Sequence, residues 1–278
     1  MSDNKHFRIL EDIAQDLSGE VNFPTSLDAA VMVRNTLGDP EVSLDQVARA
    51  VALEPLIASK LLRLANSVVY NPSGKTISDL KTAITRLGFQ AVRTTSLAVA
   101  MDQIMKSKSM GTFDHFAKQT WEHSLKVAAT ARVLARRVGR VNPDEALLAG
   151  LVHDIGIFYL LYRAAEHELY RSDEEALIEL LIGWHESIGE SLLHILGLPE
   201  RIVDAVRDHD HLREADTPCT LRDVIYFANL LSDNGFEWLT DGTSAIEPEN
   251  AAEIRERYAA LLDESADEMR ELRAALAA

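Results

Sequence analysis

The chain is punctuated for helices from end to end. Apolar residues recur at spacings of three and four in segment after segment, and the strict alternation of a half-buried strand shows almost nowhere. Ser43 with Gln46 forms a capping-box signature ahead of LDQVARAVAL, and Pro55 stands where a first helical residue belongs ahead of LIASKLLRLAN. Asn142, Pro143 and Glu145 mark the start of a helix running towards His153, and Pro199 opens ERIVDAVRDH. Turn residues separate these segments: GDPE at 38–41, YNPSGK at 70–75 and LGLP at 196–199. The pattern predicts an all-α protein with many helices of ordinary length, no internal repeat and no low-complexity tract.

KSKSMGT, Lys106 to Thr112, interrupts the apolar periodicity. It predicts an N-terminal helix or arm over residues 1–19, a helical bundle over 20–110 and a second helical domain over 111–240. In the first bundle Leu61, Leu62, Leu64 and Ala65 are expected in the core, and Asn66 with Ser67 to end their helix through side-chain hydrogen bonds. Lys60 and Arg63 are expected on the exposed side. Over residues 247–278, Tyr258, Leu262, Met269, Leu272 and Leu276 follow a heptad spacing that Ser265 interrupts. The expectation is an amphipathic helix folded back onto its own domain, with a homodimer contact as the alternative.

Charge limits what such a bundle can bind. With 28 basic and 44 acidic residues the net charge is −16, so the surface as a whole repels nucleic acid and anionic membrane. The start MSDNKHFRILEDIAQD has no apolar signal core, and Cys219, the single cysteine, has no internal disulfide partner. No apolar run is read as approaching the roughly 20 residues of a membrane span, and a cytoplasmic location is expected.

Four histidines stand among apolar residues. His123 in WEHSLKVAATARVLA shares a helix face with Val127, Thr130 and Leu134. His153 shares one with Ala146 and Gly150, small residues read as leaving space beside the imidazole; His185 lies between Leu181, Ile182 and Ile188, Gly189; His209 follows Ile202, Ala205 and Val206. Each alone is most simply a buried ring bonded to a backbone carbonyl or a hydroxyl. Four of them together with Asp154 would cost several kcal/mol to bury without partners, which leaves two readings open: a shared polar network or a bound cation. Imidazole nitrogens and a carboxylate suit iron, manganese, zinc or nickel. His6, His115, His167, His194 and His211 read as surface or incidental, His211 being set apart by its closeness to His209.

The order WEHS, GLVHDIG, GWHESIGESLL and LPERIVDAVRDHD resembles the HD-related output domain (HDOD) family, a branch of the HD superfamily of metal-dependent phosphohydrolases. FPTSLDAA, VALEPLIASKLLRLANSVVY and ISDLKTAITRLGF resemble the N-terminal signature of the same family, so the likeness spans residues 20 to 235. The resemblance implies two packed helical parts, the second an HD-like bundle, and a role in bacterial signal transduction. It implies His123, His153, Asp154, His185 and His209 as ligands of a divalent transition metal, with Asp210 and Asn229 as additional candidates. The alternative is an empty site.

Catalytic relatives, including the HD-GYP cyclic dinucleotide phosphodiesterases, carry a late aspartate where this chain has Asn229. They carry a second histidine where it has Asp210, and a lysine after HDIG where it has Ile157. No GYP motif follows His209. A neutral amide offsets no charge on a dication, and isoleucine donates nothing to a phosphoryl oxygen. Together these losses remove several kcal/mol of transition-state stabilisation, each tenfold in rate being about 1.4 kcal/mol. The resemblance therefore implies a regulatory output module, acting through signalling proteins or a nucleotide-type ligand, with no assured catalytic residue. Asp154 takes that role only under the alternative, a metal-dependent phosphohydrolase of nucleotides or cyclic dinucleotides.

Overall fold

The start signals of the sequence open helices in the computed structural model, which describes residues 5–18, 32–33, 35–106, 108–207, 209–213, 215–232 and 250–276. The helices are α1 Phe7–Ser18, α2 Leu44–Ala52, α3 Pro55–Ala65, α4 Leu80–Met105, α5 Asp114–Arg137, α6 Pro143–Val152, α7 Ile155–Ala164, α8 Glu168–Ser172, α9 Glu174–Ile195, α10 Glu200–Val206, α11 Leu221–Leu231 and α12 Ala251–Leu276. No strand occurs among the described residues, and FPTSLDAA lies outside them. Ser43 caps α2 through a complete capping box with Gln46, and Pro55 is the first residue of α3. The Asn142 side chain accepts hydrogen bonds from the amides of Asp144 and Glu145 at the start of α6. At the LGLP turn, Gly197 takes φ +63° and the amide of Leu198 reaches back to the carbonyl of Leu193, closing α9.

Two apolar cores share one wall. Val47, Val51, Ile57, Leu61 and Ile84 form the smaller, N-terminal core. The larger takes in α1 through Ile9 and Ile13 and extends through α12. Helix α4 serves both: Val92 and Val99 face the smaller core, Leu97 and Met101 the larger. These four residues lie on two faces of one unbroken segment; before it Gly88, at φ +80° and ψ 166°, breaks the helix in a conformation closed to residues with a Cβ. The KSKSMGT stretch does not separate the cores: Lys108–Phe113 is a 3₁₀ turn whose Met110 and Phe113 are buried in the larger one.

Pro143–Ala164 corrects the expectation that no run is apolar enough to span a bilayer. Its 22 residues pass by length and hydropathy, and 89% of the window is buried inside the protein. These are the two innermost helices, α6 and α7, apolar all round because neighbours cover every face.

Helix α12 folds back onto α5. Its covered stripe runs through Ile254, Tyr258, Ser265, Glu268 and Leu272, while Leu262, expected on the stripe, is exposed. The side chain of Leu276 lies outside the described residues. The register is set by charge: Arg132 on α5, 8% exposed, bonds Glu268 at 2.6 Å, and Arg136 and Arg137 reach Glu264. A buried guanidinium requires a counter-charge, so Glu268 occupies a position that the apolar pattern had passed over. Glu268→Ala is expected to cost about 1.5 kcal/mol, lowering the melting temperature by about 3 to 6 °C. Arg137→Ala, at the solvent edge of the same interface, should hardly move it; equal shifts in the two melts would refute this ranking.

Lys60 overturns the reading of α3. It is 3% exposed, because α3 turns that side towards a cleft between the cores, whereas Arg63 is exposed and donates to the Ala274 carbonyl. Asn66 does end the helix, donating to the carbonyls of Leu62 and Ile77 and accepting from the Ile77 amide. The Ser67 hydroxyl makes no hydrogen bond.

Candidate metal centre

Five elements converge on Asp154. His123 comes from the middle of α5 and His185 from α9. His153 ends α6 and Asp154 begins α7, so the pair occupies the break between the two innermost helices. Asn229 comes from α11. His209 was expected within a helix, but α10 stops at Val206 and the ring lies in the turn beyond. Both helix ends have the same cause: His153 Nδ1 donates to the carbonyl of Gly150 and His209 Nδ1 to that of Val206, each at 2.8 Å, so each imidazole closes the last turn.

The rings form a chain, with centroids 5.1 Å apart for His123 and His153, 4.8 Å for His153 and His209, and 5.6 Å for His185 and His209. Asp154 is 2% exposed. Its Oδ1 lies 3.2 Å from His209 Nε2; its Oδ2 lies 2.9 Å from His153 Nε2 and 3.9 Å from His123 Nε2. Asp210, at the open side, places Oδ2 3.2 Å from His185 Nε2.

This geometry has a definite protonation problem. His153, His185 and His209 each commit Nδ1–H to a backbone carbonyl, which can only accept. In the neutral ring Nε2 is therefore a lone pair, and in all three cases it faces a carboxylate oxygen, acceptor against acceptor. His153 Nε2 and Asp154 Oδ2 are both buried without a hydrogen-bond partner. Only a proton or a metal cation reconciles such contacts.

Without a metal, the proton takes that place. Burial opposes charge on His209, but Asp210 and the bond to Asp154 outweigh it and push the imidazole up to about 10. Burial likewise opposes ionisation of Asp154, yet the charge of His153 and the bond from His209 hold the carboxyl well below the usual range. Burial works against charge on His185 too, and its hydrogen bond to Asp210 raises it. His123 goes the other way: burial and the neighbouring His153 lower it to about 4, so it is neutral.

The donor set fits a divalent cation. His123, His153 and Asp154 offer ligand atoms within 4.8 Å of one another, and so do Asp154, His185 and His209, the two groups sharing Asp154. A third group, His185, Glu186 and Asp210, adds a residue the sequence reading missed. One step along a helix turns about 100°, so spacing put Glu186 on a different face from His185.

Glycines bring the backbones together. A Cβ on Gly150 would meet Ala128 Cα at 2.8 Å, so its smallness admits the backbone of α5 and not, as expected, space beside His153. Ile157 is fully buried in the larger core. Among the histidines read as surface, His6 is buried and stacks on Tyr170, whose hydroxyl lies 2.9 Å from its Nδ1. His211 is exposed, 3.4 Å from Glu186 at the mouth of the site.

A family model described as the HDOD domain matches residues 23–212. The fold resembles that of a protein of Shewanella amazonensis SB2B, provisionally named a metal-dependent phosphohydrolase, with a TM-score of 0.70 at 22% identity over 99% of each chain. A provisionally named signal transduction protein of Marinobacter aquaeolei VT8 gives a TM-score of 0.60 at 17% identity, over 99% of this chain and 67% of that one. An uncharacterized protein of Treponema pallidum (strain Nichols) is 22% identical over 238 residues, 80% of this chain and 44% of its own length. The chain spans less than half the length of the curated relatives it matches.

Proposed function

Since the chain belongs to the HDOD domain family, we propose that it is an output module of bacterial signal transduction whose metal site is kept in a reduced form. Its partners are signalling proteins or a nucleotide-type ligand, in keeping with a net charge of −16 that disfavours nucleic acid.

The observation that carries this reading is how Asn229 is used. Its Nδ2 donates to Asp210 Oδ1 at 3.0 Å; a carboxylate accepts only, which fixes the amide's orientation. Its Oδ1 therefore faces His123 Nε2 at 2.9 Å, and the neutral His123 donates to it. Both ends of the amide are occupied, and the His123 nitrogen nearest Asp154 carries a proton, not a free lone pair. One corner of the cluster is thus tied into a hydrogen-bond network. Asp154, His153, His185 and His209 remain to hold a divalent cation, which would supply Lewis acidity and positive charge, with Asp210 and Glu186 on the open side.

A second reading, hydrolysis of a nucleotide or cyclic dinucleotide phosphoester, is favoured by the two donor groups that overlap on Asp154, since a shared carboxylate can serve two ions. Elemental analysis combined with a chelator-sensitive assay on a chromogenic phosphodiester separates the two. Stoichiometric metal without turnover is expected; rapid metal-dependent turnover would overturn the regulatory reading. Asn229→Asp should raise metal affinity about tenfold, because it adds the missing negative charge beside the cation. Unchanged affinity in that variant would mean that the corner is not part of the site.

A further inference from the structure

The metal centre has an outer edge, where α9 meets the turn after α10, and the residues there form a group of their own. His185, Glu186 and Asp210 each offer a ligand atom within 4.8 Å of the other two. Neither Glu186 nor Asp210 belongs to the two groups that share Asp154. His185 is buried, Glu186 half-buried and Asp210 exposed, so the group runs from the wall of the inner site out to the surface.

The bonds around the group leave its acceptors facing inward. The Nδ1–H of His185 donates to the Leu181 carbonyl at 2.9 Å, so Nε2 is a lone pair, 3.2 Å from Asp210 Oδ2. Asn229 Nδ2 holds the other oxygen of Asp210 at 3.0 Å, and Oδ2 is the one left to ligate. Glu186 Oε1 is shielded from solvent and makes no hydrogen bond, with the exposed His211 Nδ1 standing 3.4 Å away. Two acceptors therefore face each other beside a third that is buried and unmet. The ion-pair partners of both carboxylates among the described residues are histidines, with no lysine or arginine to balance their charge. A divalent cation satisfies all of these at once.

We propose that His185, Glu186 and Asp210 form an outer cation seat, an inference that rests on the reading of the cluster as a metal centre and assigns His185 to the outer of two positions. The inner seat keeps His153, Asp154 and His209; two imidazoles and one carboxylate suit zinc. The outer seat has two carboxylates to one imidazole, with water to complete the coordination, and suits manganese. The seats share no carboxylate, so an outer ion is not bridged to the inner one as the ions of a two-metal hydrolase are. It is instead an exchangeable effector: by joining α9 to the turn after α10, it ties down the entrance to the inner site.

Titrating the full-length protein, loaded with one equivalent of zinc, with manganese tests it, the free aquo ion being read by its paramagnetic resonance signal. One further manganese per chain is expected, removable by gel filtration while the zinc stays. Glu186→Gln, at a half-buried position that the fold tolerates, should raise the manganese Kd about tenfold or more and leave the zinc in place. Glu190→Gln, one turn further along α9 and already paired with Arg207, should change neither metal. Stoichiometric zinc with no manganese bound beside it, or manganese bound equally by the parent and Glu186→Gln, would overturn the outer seat and leave the inner centre standing. A protein that takes up neither metal would overturn both.

Discussion

Gly156→Ala is expected to destabilise the protein by at least about 3 kcal/mol, lowering the melting temperature by about 10 °C or preventing folding altogether. A Cβ at this position would lie 1.9 Å from the His185 carbonyl oxygen and 2.8 Å from the Gly189 amide nitrogen. Both contacts are backbone, so no side chain can swing aside; α7 and α9 would have to separate. Separation carries His185 away from Asp154, so metal affinity should fall with stability. Gly183, in the same helix α9, has nothing within 4 Å of the equivalent Cβ. Gly183→Ala should therefore stabilise by about 0.5 to 1 kcal/mol, since it only removes glycine's entropic penalty in a helix. Opposite signs for an alanine packed against α9 and an alanine on its open face are the result to look for in paired chemical-denaturation curves. A Gly156→Ala protein melting within a degree or two of the parent would show that the helices do not pack this closely.

The same glycines show where the sequence speaks clearly and where it does not. Capping residues act within one turn, so Ser43, Pro55 and Asn142 could be read locally, and each begins a helix in the structure. The gathering of His123, His153, Asp154, His185 and His209 was legible because apolar neighbours forced each ring inward, whichever partner it would find there. What spacing could not give was anything set by a distant element. Glu268 was passed over and Lys60 misread because a guanidinium on α5 and a cleft roofed by α12 decide their burial, not the pattern of their own helices. His209 was placed on a helix because the apolar period continues through Val206; the side-chain bond to the Val206 carbonyl, which ends that helix, leaves no mark in the periodicity. Glu186 was overlooked for the opposite reason, a length of side chain that lets it reach around the helix from the wrong face.

Metal affinity should rise steeply with pH, about tenfold per unit between pH 7 and pH 9. In the metal-free protein His209 titrates at about 10 against 6.5 for the free imidazole. The stability it contributes is fully present below pH 6.5 and is lost as the pH climbs towards 10. Asp154, depressed, contributes above its unfolded value near 3.9 and loses that contribution in acid. His123, lowered to about 4, stays neutral where the unfolded ring would bind a proton, so it too costs stability as the pH falls from 6.5 towards 4. The metal-free protein is therefore most stable near pH 6 to 7. A cation needs the Nε2 lone pair that this proton occupies, so binding must expel at least one proton, and His185 adds to the count because its hydrogen bond to Asp210 raises it too. Over two pH units the gain is about 100-fold in affinity, or about 2.7 kcal/mol, and the pH of greatest stability moves to the alkaline side when manganese or cobalt is present. Calorimetric titration in buffers of different ionisation enthalpy counts the protons directly. Asp154→Asn, which removes the carboxylate shared by both donor groups, should weaken binding by about 100-fold or more and flatten the dependence, since His209 loses one of the two carboxylates that raise it. An affinity that stays level from pH 7 to pH 9 would mean that no buried proton stands where the metal goes, and the acceptor-against-acceptor geometry around Asp154 would then need another explanation.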